Sequence, residues 1–337
     1  MSVKKTISEN PVLETVLRPK SISEYIGQEK VKKSLKLFIE AGRSRGSVSE
    51  HILLYGPPGM GKTTLAHILA QELNGELKIT SGPAIEKTGD LAAILTNLQD
   101  KDILFIDEVH RLPKPVEEAL YPVMEEFALD IVLGKGPAAR TVRLSIPRIT
   151  IIGATTRIAL LSAPLRDRFG LISRLDFYTT DDMIEIIMRS SKLLHITLNK
   201  EVAKEIAVRS RKTPRIANRI LKRVRDLIEV ENHKVIDMNI IENLFKILDI
   251  DEQGLTDMDV KYLTVISSKF EGGPVGLTTL AMSLSEDKQT IEEFVEPYLI
   301  QIGFIKKTSK GRVITEKAYI HLKIPRKTAS VEQQKML

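Results

Sequence analysis

The chain has 337 residues, of which 42% are hydrophobic and 28% charged, a composition typical of a globular protein with two or three domains. It contains no cysteine, which excludes disulfide bonds and zinc sites built from cysteine. The net charge of +6 permits a nucleic-acid partner without requiring one, because many basic proteins simply carry a solvated basic face. The absence of a long apolar run and of a signal-peptide core predicts a cytoplasmic protein without membrane segments.

Short apolar runs alternate with helical stretches from residue 51 to residue 178, after an amphipathic helix predicted over 28–42. The runs are rich in β-branched residues, which predicts a parallel sheet that is buried on both faces. The predicted strands are 51–55, 76–80, 102–107 and 149–154.

Residues 56–64 read Gly-Pro-Pro-Gly-Met-Gly-Lys-Thr-Thr and fit the phosphate-loop pattern G-x-x-x-x-G-K-[ST]. The pattern follows a predicted strand and precedes a helical run, as a phosphate-binding loop requires; the alternative is a plain Gly/Pro turn. Lys62 would reach the β- and γ-phosphates of ATP, and the Thr63 hydroxyl would hold Mg²⁺. The predicted nucleotide contacts in the loop are Gly59, Gly61, Lys62, Thr63 and Thr64.

Two carboxylates follow the apolar run that ends at Ile106. Asp107 is placed to hold Mg²⁺ through water, and Glu108 is placed to polarise the attacking water as a general base. A solvated acidic pair is the alternative, and the preceding phosphate loop favours the catalytic interpretation.

An insertion over residues 128–147 separates this strand from the next one and reads as a hairpin at a sheet edge. Alternation of polar and apolar residues from Arg140 to Ile146 predicts one of its strands. Val142 and Leu144 either pack on their own domain or are exposed and bind a partner protein, as exposed apolar patches often do.

The strands stop after residue 180, and helices are predicted over 181–194, 200–210, 214–229 and 239–248. A polar break at 251–254 leads to a third region that resembles a winged helix. Its predicted elements are helices over 257–270, 276–286 and 289–302, and a hairpin over 303–314.

Charge in this third region favours the hairpin, or wing, as the DNA contact. The third helix carries Glu292, Glu293 and Glu296 and no basic residue, so phosphates would be repelled from it. The wing carries the predicted DNA contacts, Lys306, Lys307, Lys310 and Arg312. Phosphate contacts of this kind are independent of sequence and sensitive to salt; the alternative is a solvated basic turn.

The chain resembles the AAA+ ATPases and, within them, the RuvB family of branch-migration motors, over nearly its full length. Three segments are specific to that family: 213–219, 272–277 and 296–300. The other matching segments are 17–19, 56–64, 80–83, 107–111, 134–140, 153–157 and 165–170.

The resemblance implies three further site residues. Thr156 would be a sensor of the γ-phosphate, Arg168 an arginine finger acting on a neighbouring subunit, and Arg215 a lid residue touching the γ-phosphate of its own subunit. The alternatives are a Thr that caps a strand end, ion pairs of Arg166 and Arg168 with Asp167, and one more charge on a basic helix. Weaker nucleotide contacts carried over from the family are Leu17, Arg18, Glu125, Glu126, Phe127 and Tyr178.

The resemblance also implies an α/β fold with an AAA+ parallel-sheet domain over 1–178, a small all-α lid over 179–250 and a winged-helix domain over 252–337. The implied activity is that of an ATP- and Mg²⁺-dependent hexameric ring motor, which pulls duplex DNA to drive branch migration of four-way junctions in recombination and repair. A RuvA-type junction-binding protein would be its partner. The alternatives are a clamp-loader-type AAA+ ATPase and a winged-helix regulator switched by ATP.

Overall fold

The computed structural model describes residues 15–45, 50–133, 140–231 and 235–325. The chain divides into two compact units, Met1–Thr197 with Lys212–Lys222 and Leu198–Arg211 with Arg223–Leu337. Within the described ranges, no helix has both the length and the apolar character needed to cross a membrane.

A parallel sheet forms the centre of the first unit. The strands of this unit are β1 (Ile52–Tyr55), β2 (Leu77–Ser81), β3 (Ile103–Asp107), β4 (Ala128–Leu133), β5 (Arg140–Ser145), β6 (Thr150–Thr155) and β7 (Leu171–Arg174). Five of them pair in parallel in the order β2-β3-β6-β1-β7. The four strands predicted from the sequence correspond to β1, β2, β3 and β6. The edge strand β7 was not predicted, because it is short and exposes alternate residues instead of forming an apolar run.

Helices α1 to α6 also belong to this unit. They are α1 (Glu29–Arg45), α2 (Lys62–Leu73), α3 (Thr88–Leu95), α4 (Lys114–Glu126), α5 (Ala163–Asp167) and α6 (Thr180–Leu193). Strand β6 is buried along its whole length, and Leu104 and Ile151 pack with Leu91 and Leu120 of the helices in one hydrophobic cluster. A fully buried leucine or isoleucine contributes about 1.5–3 kcal/mol, so this cluster holds the strand ends in place.

The predicted insertion forms an antiparallel hairpin of β4 and β5, in which Ile131 pairs with Val142. It is a separate two-stranded sheet and does not extend the edge of the parallel sheet, which corrects the prediction. Leu144 packs against the hydrophobic cluster of the first unit, whereas Val142 is 39% exposed. Of the two alternatives for these residues, exposure is found at Val142 and packing on its own domain at Leu144. The residues that connect the two strands, 134–139, lie outside the described residues.

The rest of the chain is mainly helical. Its elements are α7 (Lys200–Arg209), α8 (Pro214–Glu231), α9 (Met238–Ile247), α10 (Asp257–Lys269), α11 (Leu277–Leu284), α12 (Lys288–Thr290), a π-helical turn (Ile291–Val295), α13 (Glu296–Gln301), β8 (Ile305–Thr308), β9 (Gly311–Ile314) and α14 (Glu316–Leu322). The predicted third helix of the C-terminal region is thus interrupted by a π turn. The interruption lies beside Pro297, which has no N–H to donate to the carbonyl of Glu293.

Candidate nucleotide site

The phosphate loop connects the carboxyl end of β1 to the first turn of α2. The N–H of Gly56 donates to the carbonyl of Thr155 (3.2 Å), which ties the loop to the end of β6. Gly59 and Gly61 have φ angles of 78° and 97°, in the left-handed region that favours glycine. A Cβ at Gly61 would lie 2.6 Å from the Tyr25 hydroxyl, so the loop has no room for a side chain there.

Lys62 is the first residue of α2 and is buried. Its ammonium donates to the carbonyls of Gly56 (2.8 Å) and Pro57 (3.0 Å). Burial lowers the pKa of Lys62, and the nearby carboxylates of Glu108 and Asp107 act in the opposite direction. A cation held over a glycine loop at a helix N-terminus is suited to phosphate binding. Thr63 and Thr64 follow it in the same turn and are half-buried.

Two buried tyrosines contact the backbone of the phosphate loop. The hydroxyl of Tyr25 donates to the carbonyl of Met60 (3.1 Å), and the Tyr178 hydroxyl lies 2.9 Å from Tyr25 Oη and 3.2 Å from the same carbonyl. Burial raises the pKa of Tyr25 well above its ordinary value and that of Tyr178 to about 12, so both remain neutral donors. Tyr25 was not predicted from the sequence, where nothing sets it apart from a core tyrosine.

Two other residues carried over from the family, Leu17 and Arg18, lie in the N-terminal segment. Leu17 is buried, and its carbonyl accepts a hydrogen bond from Arg189 (2.8 Å). Arg18 lies close enough to His67 of α2 to lower the pKa of that imidazole, after the larger effect of burial.

The acidic pair lies at the end of β3. Asp107 Oδ1 accepts the backbone N–H of Glu108 (3.0 Å), and Glu108 has a left-handed φ of 47°. Glu108 Oε2 accepts a hydrogen bond from the Thr156 hydroxyl (3.2 Å) and lies 3.1 Å from His110 Nδ1. The structure therefore brings together the predicted base and the predicted sensor. His110 was missed, although it stands within the matching segment 107–111.

Arg215, at the start of α8, lies beside the phosphate loop of the same chain. A Cβ placed on Gly59 would come within 3.1 Å of Arg215 Cβ and 2.7 Å of Thr213 Cγ2. Thr213 belongs to the family-specific segment 213–219, but no role was predicted for it. Its methyl group is one reason why position 59 requires glycine.

Arg168 lies on the side of the sheet where β1 and β7 begin, opposite to the phosphate loop; this side is called the Arg168 edge below. It precedes β7, whose first residue, Leu171, pairs with Ile52 at the amino end of β1, whereas the phosphate loop follows the carboxyl end. At about 3.3 Å per residue, the four residues of β1 separate these edges by about 13 Å. Glu125 lies at the same edge as Arg168, because the carbonyl of Met124 contacts the ring of His51, directly before β1.

Of the two arginines in the alternative pairing, Arg166 lies 4.0 Å from Asp167, whereas the guanidinium of Arg168 pairs elsewhere. It lies 3.2 Å from Glu125, donates to the carbonyl of Pro164 (2.7 Å) and stacks 4.2 Å from the centre of the Tyr121 ring. Of the other two residues carried over at this edge, Glu126 pairs with Arg143 and Phe127 packs edge-on against His51.

Three family models match the chain in sequence. They describe the P-loop domain of the Holliday junction DNA helicase RuvB over residues 17–175, the RuvB AAA lid domain over 178–251 and the RuvB C-terminal winged-helix domain over 252–323. The structure of the Thermotoga maritima RuvB Holliday junction branch migration motor is 50% identical, with a TM-score of 0.84, covering 92% of this chain and 99% of that one. The chain belongs to the RuvB family.

Two variants of Thermotoga maritima RuvB give the same result. One with an arginine replaced by alanine matches at 50% identity and TM-score 0.84, covering 91% of this chain and 98% of that one. One with a proline replaced by glycine matches at 50% identity and TM-score 0.85, covering 91% and 99%. The predicted α/β fold with AAA lid and winged helix is confirmed, as is membership of a family of P-loop ATPases that drive Holliday junction branch migration. The clamp-loader and regulator alternatives are not supported.

In the winged-helix region of this RuvB family member, two of the predicted DNA contacts also form ion pairs within the domain. Arg312 Nε donates to Glu296 Oε1 (2.7 Å), and Lys307 Nζ lies 3.0 Å from Glu296 Oε2. Glu296 is only 1% exposed and also accepts a hydrogen bond from the Tyr262 hydroxyl (3.0 Å). Arg312 and Lys307 therefore balance a buried carboxylate within the domain.

Both also contact Glu292, at 3.3 Å and 3.4 Å, so these helix carboxylates do not act as an unbalanced negative face. The prediction counted the charges on the helix and on the wing separately, whereas these charges pair with one another. Lys306 and Lys310 of the wing are exposed.

Proposed function

We propose that this chain is an ATP-hydrolysing subunit of a ring that pulls duplex DNA and drives branch migration of Holliday junctions. The observation that carries the proposal is the placement of Arg168 on the edge of the sheet opposite to the chain's own phosphate loop. A guanidinium there serves ATP hydrolysis only by reaching the nucleotide of a neighbouring copy. A ring of copies, which we take to be hexameric as in the sequence-based prediction, supplies such a neighbour to every subunit.

The phosphate loop and the acidic residue at the end of β3 fit ATP and Mg²⁺. Gly59 and Gly61 form a cradle that a Cβ would fill, and Lys62 brings a cation to it. Thr63 and Asp107 offer the hydroxyl and carboxylate oxygens that Mg²⁺ prefers. When bound, Mg²⁺ would neutralise charge on the β- and γ-phosphates.

The remaining roles follow from position. Glu108 would accept a proton from the attacking water, and Thr156, which contacts it, would sense the γ-phosphate. Arg215 would stabilise the γ-phosphate from the same chain, and Arg168 from the neighbouring one. An arginine finger contributes about 10³–10⁵ in rate, because it meets the charge that develops on the transferred group.

The proposed nucleotide environment extends beyond these groups. Leu17, Arg18 and Tyr178 would border the adenine and ribose. Glu125, Glu126 and Phe127 lie at the Arg168 edge and would face the neighbour's nucleotide. We place the domain borders at 1–178, 179–250 and 252–337.

DNA would be held through its phosphates by the wing residues Lys306, Lys307, Lys310 and Arg312, of which Lys307 and Arg312 also keep the wing in position. A motor that moves along DNA requires contacts of this kind, which carry no sequence information. Val142, exposed on the β4–β5 hairpin, would contact a RuvA-type junction-binding partner.

The proposal is tested by following strand separation of a synthetic four-way junction with the partner protein, ATP and Mg²⁺. Lys62→Ala should abolish both separation and ATP turnover, because the phosphates lose their cation. Lys36→Ala, which removes an exposed lysine from α1, is the matched control and should retain both. Separation at the undiminished rate by Lys62→Ala would refute the motor, and DNA-independent turnover in the unaltered protein would favour an ATP-switched regulator.

A further inference from the structure

A buried histidine contacts the proposed general base. His110 Nδ1 lies 3.1 Å from Glu108 Oε2 and 2.8 Å from Thr155 Oγ1, and its side chain is only 5% exposed. We propose that His110 is a positioning residue that fixes the Glu108 carboxylate toward the γ-phosphate site. This inference rests on the proposed role of Glu108 as the general base.

The backbone at Glu108 is held in place, so the carboxylate can move mainly by rotation about the bonds of its side chain. Its left-handed φ of 47° and the hydrogen bond of its N–H to Asp107 Oδ1 hold the Cα in one place. Two contacts then restrain Oε2, one from the Thr156 hydroxyl and one from His110. Loss of either contact would let the carboxylate turn away from the attacking water.

The geometry assigns the hydrogen on the imidazole. A carboxylate oxygen has only lone pairs, so an unprotonated Nδ1 at 3.1 Å would repel it. Nδ1 therefore carries a hydrogen, which lies between Thr155 Oγ1 (2.8 Å) and Glu108 Oε2 (3.1 Å) and is shared by the two oxygens. Thr155 Oγ1 meanwhile accepts the N–H of Arg157 (2.9 Å), which fixes the hydroxyl that borders the ring. A hydrogen bond to a charged group, largely shielded from water, is stronger than an exposed one.

The decisive comparison is between two amides that replace the imidazole. An asparagine amide nitrogen takes about the place of Nδ1, whereas a glutamine amide nitrogen takes about the place of Nε2. His110→Ala and His110→Gln should lower kcat for ATP by about 10- to 100-fold with an unchanged KM, because misplacing a catalytic group affects the chemical step. His110→Asn should recover most of the lost kcat.

Two controls complete the experiment, and each is measured on the full chain with DNA and Mg²⁺. His195→Ala removes an exposed histidine and should leave kcat unchanged. In a Glu108→Gln background, His110→Ala should cause no further loss, because the group that it positions is already absent.

The inference is overturned if the asparagine and glutamine variants have equal kcat, or if His110→Ala lowers kcat as much in the Glu108→Gln background as in the wild type. Should His110→Ala fail to fold, the asparagine and glutamine variants decide alone. Full turnover by Glu108→Gln itself would instead refute the proposed role of Glu108, and so separates failure of the function from failure of this inference.

Discussion

The guanidinium of Arg168 lies 3.2 Å from the carboxylate of Glu125, at the edge of the sheet where β1 and β7 begin. The contact joins the last turn of α4 to the turn before β7. It explains how an arginine next to an aspartate in sequence avoids pairing with that neighbour. The side chain is 22% exposed, so the guanidinium is held in a fixed direction and still reaches the surface.

Subunit mixing tests whether Arg168 acts on a neighbour. Arg168→Ala and Lys62→Ala should each lower ATP turnover by about 10³-fold or more when assayed alone. Mixing the two proteins should restore a measurable fraction of turnover, because some interfaces then combine an intact phosphate loop with an intact arginine. Turnover in the mixture no higher than in the separate variants would show that both residues serve one site in one chain.

The two tyrosines that contact the Met60 carbonyl should affect nucleotide binding to different extents when one or both are replaced. Tyr25→Phe should weaken binding by about 0.5–1.5 kcal/mol, since Met60 retains Tyr178 as a donor. Tyr25→Phe with Tyr178→Phe should weaken it by more than the sum, because the carbonyl then lacks both hydroxyls. The measurement is a titration with a fluorescent nucleotide, and strictly additive losses would contradict the shared carbonyl.

Two substitutions in the wing should separate DNA contact from domain stability. Lys310→Ala should weaken binding equally on all duplex sequences, reduce the dependence of log K on log salt by about one unit, and leave thermal stability unchanged. Arg312→Ala should destabilise the winged-helix region by up to about 3–5 kcal/mol, because a buried carboxylate loses its main partner. Normal stability of Arg312→Ala would contradict the assignment of its ion pair.

Acid should weaken the same region through Glu296. Burial alone raises the pKa of this carboxyl, but hydrogen bonds from Arg312 and Lys307 lower it below its ordinary value of 4.5. A lowered folded-state pKa stabilises the fold above the unfolded-state pKa, and this contribution is lost as the pH falls through the folded value. The difference in free energy of unfolding between wild type and Glu296→Gln should therefore shrink from about pH 5 to about pH 3. A constant difference would rule out the lowered pKa.

The two apolar residues of β5 should respond differently to a charge. Val142→Asp should leave thermal stability unchanged and abolish binding to a RuvA-type protein, because its side chain is exposed. Leu144→Asp should lower stability by about 1–3 kcal/mol, because it buries a charge at the hydrophobic cluster. Binding by pull-down and unfolding by calorimetry distinguish the two, and undisturbed binding by Val142→Asp would remove this hairpin from the interface.

The local pattern of the sequence was sufficient for the phosphate loop, the acidic strand end and most elements of the sheet. These features depend on near neighbours in the chain: a glycine-rich turn between a strand and a helix, and apolar runs that are buried on both faces. The fold class and the family followed from them and from motifs spread over the chain. The short edge strand β7 and the helix α14 lack such a pattern and were missed.

Only the tertiary structure decided which charged and polar groups meet. His110 at Glu108, Tyr25 under Met60, Glu125 at Arg168 and Arg312 at Glu296 are side-chain contacts between different elements. The periodicity of one segment carries no information about its partners, because pairing depends on how elements pack in space. A lysine or arginine in a basic run looks the same in sequence whether it points to solvent, as Lys310 does, or balances a buried carboxylate, as Arg312 does.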